Sequence, residues 1–233
     1  MRSLCIALAM LMYGCVFAQN SRENPDSLIL ILTEILRLAP ENGGYRTQRA
    51  KLYLLQNQDM NALSDLDMVI RSNPDNPEAL FYRAYIYRKQ RLYTKARQDY
   101  ERLIIMQPRH RDARMGLVLV NDADGRPYEA MEQMDVLVRY WPDDPEVLVM
   151  RGGLYQKRRE YEKALRDMNR AIELNGDIAD FYISRALLYK DFKQMSRARA
   201  DIRRAVELGA DRQECANLML DDKMKKKKEK RRE

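Results

Sequence analysis

The chain's 233 residues are 45% hydrophobic and 33% charged, with a formal net charge of +7. That is enough apolar content for a buried core and too much charge for a protein crossing a bilayer several times. Gly and Pro are sparse, at 9 and 8, while Met and Tyr reach 14 each, which is an all-helical composition.

The first eighteen residues stand apart. Arg2 gives a positive start, and Leu4 to Met12 is an apolar run too short for a stable span. Val16-Phe17-Ala18 then offers a processing site before polar Gln19. The segment reads as a secretory leader removed after Ala18, which places the mature protein in the periplasm or outside the cell. An uncleaved anchor and a lipoprotein site at Cys15 are the alternatives; Met12 and Tyr13 are poor neighbours for the second. Cys5 and Cys15 fall inside the leader, so only Cys215 remains and no internal disulfide can form. Stability must come from packing.

Residues 19–25 read as a linker and 26–39 as a helix, capped by Asp26 and ended by Ala39-Pro40. Leu28, Leu32 and Ile35 can pack on the first helical unit beyond Pro40. Ile29, Leu30 and Ile31 widen the apolar surface nearly all round, so this helix needs cover: a partner, a second copy of the chain, or residues 19–25.

Pro74, Pro108, Pro142, Gly176 and Ala210 then stand 34 residues apart without insertion or deletion. A strict period of that length means a stack of identical supersecondary units. In Pro77 to His110, Ala79, Leu80, Ala84 and Tyr87 recur at helical spacing. Arg91-Leu92-Tyr93 breaks the pattern, and Ala96, Tyr100, Leu103 and Ile104 form a second helical stripe. The units are 43–76, 77–110, 111–144, 145–178 and 179–212. Each brings a small pair to the helix crossing: Ala50/Ala62, Ala84/Ala96, Val118/Ala130, Gly152/Ala164 and Ala186/Ala198. A larger residue comes next to fill the space, at Leu66, Tyr100, Met134, Met168 and Ile202.

Four units carry an arginine in the first helix and an aspartate in the second: Arg49/Asp65, Arg83/Asp99, Arg151/Asp167 and Arg185/Asp201. The third has Leu117 and Gln133 in those places. Because the two partners come and go together, an ion pair clamping each hairpin is the expectation, an arginine fork on a carboxylate. The rival, an arginine ladder for an anionic ligand, is weakened by the matching aspartates.

After the repeats, 213–222 reads as a short capping helix, with Cys215 to Asp222 facing solvent. Residues 223–233 form a basic tail too densely charged to fold alone. From Asp221 onward there are eight basic and four acidic residues, a net +4 of the total +7. The body is therefore near neutral and offers no nucleic-acid surface. An anionic membrane surface is the contact that such a tail suits.

The small pairs, the tyrosines Tyr53, Tyr87, Tyr155 and Tyr189, and the terminal prolines resemble the tetratricopeptide repeat, from about Gly43 to Arg212. Departures are Asn121 in place of the third tyrosine, Gly176 and Ala210 in place of the last prolines, and no first-helix tryptophan. The resemblance implies a right-handed superhelical solenoid of five tandem helix–turn–helix repeats, with the extra N-terminal helix and the C-terminal capping helix at its ends. It also implies that first helices line a concave face where peptides bind. Turn spacing places there Thr47 and Lys51; Phe81, Tyr85 and Arg88; Met115, Leu119 and Asp122; Val149, Gly153 and Gln156; and Ile183, Leu187 and Lys190. Phe81, Tyr85, Met115 and Leu119 would form its apolar centre. Lys51, Tyr85 and Asp112 do not make the carboxylate clamp that some members use.

No catalytic, metal or cofactor constellation is legible. His110 is the only histidine and sits in a turn, about three units from Cys215. Gly43-Gly44 and Gly152-Gly153 are not phosphate loops. The sequence thus reads as a non-enzymatic scaffold that holds a protein or peptide in its groove within an envelope assembly. The alternative is a structural homo-oligomer built through helix 26–38.

Overall fold

The computed structural model describes residues 24–219. The leader, most of the linker 19–25 and the basic tail lie outside them. Among the described residues there are twelve α-helices and no strand: α1 (Pro25–Leu38), α2 (Gly43–Leu55), α3 (Asp59–Ser72), α4 (Pro77–Lys89), α5 (Tyr93–Met106), α6 (Arg111–Ala123), α7 (Pro127–Tyr140), α8 (Pro145–Lys157), α9 (Tyr161–Leu174), α10 (Ala179–Asp191), α11 (Met195–Glu207) and α12 (Arg212–Leu218). The helices pair as antiparallel hairpins, α2/α3 through α10/α11, and both helices of a hairpin start 34 residues after those of the one before.

Local chemistry sets these starts. Asn42, Asn76, His110 and Asp144 each accept, through the side chain, a backbone N–H in the first turn of the next helix. That satisfies a donor which helix geometry leaves without a partner. The same capping operates at α1, but by Asn24 rather than Asp26, because Pro25 takes the first helical position. Asp26 instead accepts from Gln56 Nε2.

Every hairpin turn has one left-handed residue, again at the fixed period: Asn57, Arg91, Gly125, Arg159 and Lys193, with φ from 57° to 72°. This conformation lets the next N–H reach back to a first-helix carbonyl, as from Leu92 to Tyr87 at 2.8 Å and from Gln194 to Tyr189 at 2.7 Å. The bond closes the helix end. Only Gly125 adopts the conformation without a Cβ penalty.

The described chain forms two compact units, the first ending at Pro108 and the second beginning at Arg109. In the first, α1 packs on α2 and α3 on α4. Its core is Leu32, Leu36, Leu66, Leu80, Ile86, Tyr100 and Leu103 around the fully buried alanines at 50, 62, 84 and 96. In the second, Val118, Ala130, Met134 and Leu137 pack with Val147 and Leu154. Further along, Ala164 and Met168 meet Leu188. At Gly152 a Cβ would stand 3.1 Å from Met168 Cγ, so this hairpin has glycine where the others have alanine or valine. Ile202, the counterpart of Met168, is only half-buried. The last helix starts at Arg212 and its Cys215 is buried, not turned to solvent.

Candidate functional site

The arginines and aspartates meet as bidentate pairs. Nε and Nη2 of each arginine donate to the two carboxylate oxygens at 2.7–2.8 Å, in Arg49–Asp65, Arg83–Asp99, Arg151–Asp167 and Arg185–Asp201. All four aspartates are buried. Sequence reading missed a third arm. In Arg49, Arg83 and Arg185, Nη1 reaches the helix just before the hairpin, at Thr33 Oγ1 (2.9 Å), Asp67 Oδ1 (2.9 Å) and Asn169 Oδ1 (2.7 Å). Each of these three arginines therefore joins three helices. The signal lay in the sequence, because these polar residues stand sixteen before their arginine.

Each guanidinium also lies 5.7–5.9 Å from the ring of the tyrosine four residues on, at Tyr53, Tyr87, Tyr155 and Tyr189. A second cation approaches three of these rings: Lys95, Lys163 and Arg197. Such contacts add cation–π attraction. The Asp99 hydrogen bonds raise Arg83 well above the ordinary arginine range, opposed by desolvation and helped by Asp67. With the fork engaged on its aspartate, these arginines offer little to an anion.

The third hairpin replaces this set together: Leu117, Gln133, Asn121 and Glu129 stand for arginine, aspartate, tyrosine and lysine. Its acceptor is served from one turn earlier, where Arg114 Nη1 donates to Gln133 Oε1 at 3.2 Å. The first hairpin holds both arrangements, since Arg46 Nη1 also reaches Asp65 at 3.3 Å.

The expected groove residues separate by unit. In the first, Thr47 is buried and its hydroxyl donates to the Gly43 carbonyl, so it is helix core and not groove lining. Lys51 is exposed and paired with Glu78 at 2.8 Å. Phe81 packs edge-on to Tyr82 and Tyr100. Tyr85 is 38% exposed, with the Arg88 guanidinium 5.5 Å from its ring. Burial pushes the Tyr100 phenol up to about 12, against the opposing pull of Arg88.

In the second unit Met115, Leu119, Asp122, Val149, Gly153 and Gln156 line one open groove of about 610 Å³. The sequence reading missed Glu146, Asp180, Phe181 and Asp191, which line it too. Met115, Leu119, Val149 and Phe181 are among its apolar lining residues, and the carboxylates of Asp122, Glu146, Asp180 and Asp191 line it with them. Asp122 pairs with Lys157, Asp191 accepts from Gln156 Nε2 at 2.6 Å, and Glu146 pairs with Arg111 at 2.7 Å. Asp144 beside it is lowered: burial would raise it, but hydrogen bonds from Arg111 and the Val147 and Glu146 N–H groups prevail. Ile183 and Leu187 are half-buried on α10 and are not among the lining residues. Lys190 is not a free groove cation, because its Nζ donates to the Leu218 carbonyl at 2.7 Å and holds the end of α12.

His110 is engaged as a helix cap, its Nδ1 accepting from Ala113 N–H. Burial pushes the Cys215 thiol up, away from the thiolate that nucleophilic chemistry needs. Among the described residues no group of three acidic, His or Cys side chains could hold a metal ion, and no helix is long and apolar enough to cross a membrane.

This geometry has relatives. A curated relative, tetratricopeptide repeat protein 16 of Macaca fascicularis, is 22% identical over 162 residues; these cover 70% of this chain but 16% of that protein. A tetratricopeptide repeat protein from Parabacteroides merdae superposes with a TM-score of 0.73 at 22% identity, over 84% of this chain and 76% of that one. YrrB, a TPR protein with an unusual peptide-binding site, gives 0.56 at 17% identity, over 80% and 96%. At these identities the two structures speak for the fold alone. The family described as Tetratricopeptide repeat matches residues 47–105, 88–145 and 149–213. With most of its length matched and its hairpins in unbroken 34-residue phase, the chain belongs to the tetratricopeptide-repeat family.

Proposed function

We propose that this protein is a non-enzymatic adaptor that holds a peptide or protein segment against its first helices, as part of an envelope assembly. Tetratricopeptide-repeat proteins are generally interaction scaffolds, and YrrB carries a peptide-binding site on a similar fold. The observation that carries the reading is the second unit's groove. Met115, Leu119, Val149 and Phe181 give this open groove a largely apolar lining, together with a smaller set of polar and charged side chains. Such a surface gains by covering apolar area and leaves few desolvated charges. The leader reading of residues 1–18 supports a site of action outside the cytoplasm.

The test is capture from the envelope fraction with the tagged chain, with and without Leu119→Glu. Leu119 is 38% exposed, so the substitution should leave the helical CD signal unchanged. Loss of a captured protein supports the reading; the same proteins captured by both chains sink it. N-terminal sequencing of the secreted protein should begin at Gln19.

A second reading, self-association through α1, is favoured by one observation. Leu30 is 67% exposed beside half-buried Ile29, Ile31 and Ile35. Sedimentation of wild type and Leu30→Glu at several concentrations decides it: a dimer that the variant abolishes supports it, and monomers throughout end it. Membrane contact by the basic tail is the third arrangement that the charge pattern allows.

A further inference from the structure

We propose that the groove of the second unit receives the chain's own C-terminal segment, residues 220–233, which competes there with external partners. The inference rests on reading that groove as a binding surface. Three observations meet. The first is charge: Asp122, Glu146, Asp180 and Asp191 line the groove with one lining cation, Lys157; Lys157 pairs with Asp122 and Arg111 with Glu146, and Asp180 and Asp191 stand outside those two pairs. The segment has eight basic and four acidic residues, with Leu220 and Met224 as apolar anchors. Opposite net charges around an apolar lining are complementary.

The second is where the chain leaves the described structure. Lys190 binds the Leu218 carbonyl, and the next residue along α10 is Asp191, which lines the groove. Met219 packs against the cluster of Ala186, Tyr189 and Ala198. The described chain therefore ends, at Met219, near the end of α10 that carries Asp191.

The third is reach. Fourteen extended residues cover about 45 Å. Along α10, the stretch from Asp191 back to Asp180 is about 17 Å at ~1.5 Å per residue. The segment is long enough to pass both Asp191 and Asp180. Tethering so close gives an effective concentration on the order of millimolar, so even a weak site would be occupied.

The experiment uses a fluorescein-labelled peptide of residues 220–233 and full chains, read by anisotropy at low salt. In one chain Lys223→Gln, Lys225→Gln, Lys226→Gln, Lys227→Gln and Lys228→Gln neutralise the tail. That chain should bind the peptide about tenfold more tightly than the intact one, whose tail competes. Adding Asp180→Asn and Asp191→Asn should remove most of the gain, and so should 1 M salt. Equal binding by intact and neutralised chains overturns the proposal. So does binding indifferent to the two aspartates, or a tail that binds anionic vesicles while the groove variants leave peptide binding unchanged. Capture that depends on Leu119 without peptide binding would fell only this inference; peptide binding without such capture would fell only the adaptor reading.

Discussion

Four hairpins are clamped by an arginine fork on a buried aspartate, and the third is not. Yet its helices begin at the same period, and its turn residue is left-handed like the others. The clamp is therefore not what sets the hairpin's backbone. The small residues at the crossing and the turn do that, and the third hairpin keeps both through Val118, Ala130 and Gly125. The energetics agree. A buried ion pair recovers little more than its own desolvation cost, so replacing both partners is close to neutral, whereas orphaning one is not. The third hairpin is a natural instance of the double replacement. What the clamp adds is reach, since a third arm ties Arg49, Arg83 and Arg185 to the helix before their hairpin.

Breaking one clamp should give the largest effect. Arg151→Leu leaves Asp167 buried without its partner and should cost about 3 kcal/mol in urea unfolding followed by circular dichroism. Adding Asp167→Gln removes the orphaned charge and should return part of it; full recovery is not expected, because Leu148 stands where the third hairpin has the Arg114 donor to Gln133. No recovery in the double variant would mean that the clamp sets the hairpin after all.

The second hairpin puts its largest packing residue, Tyr100, next to Arg88 and buries the phenol. Its folded pKa of about 12 exceeds the ordinary 10.0. The neutral form is favoured in the folded state, so this contribution is complete below pH 10 and falls as pH rises toward 12. The slope should be about 1.4 kcal/mol per pH unit at most. Tyr100→Phe should lose that component of the alkaline transition, read by the phenolate absorbance.

Arg114 is the third hairpin's substitute for the clamp. Arg114→Leu leaves a part-buried Gln133 acceptor without this donor and should cost about 1–2 kcal/mol. A much smaller cost would show that packing alone holds this hairpin.

The turns should give the smallest effect. Arg159→Gly, which copies Gly125, should gain about 0.5 kcal/mol: relief of a left-handed Cβ outweighs the added unfolded-state entropy. Gly125→Ala should lose about 1 kcal/mol by the same reasoning. Opposite signs in paired melts are the expected result.

The period and the pairing of arginine with aspartate were legible in the chain. Each arises from short-range geometry repeated at one spacing. The groove was legible only in part. Turn spacing gave the face of Met115, Leu119 and Val149, but put Thr47 on it because spacing does not report how deep a side chain sits. It put Lys190 on that face too, because nothing local showed that α12 returns to it. Cys215 read as solvent-facing for the same reason.

Sequence alone determined where helices start and stop, since a cap or a left-handed turn acts within a few residues. It also determined which residues would pair inside a hairpin. Only the tertiary structure showed that the polar groups sixteen residues before the arginines bond to them, and which carboxylates line the groove with its apolar residues. Those depend on how each hairpin packs on its neighbours, which short-range geometry does not fix.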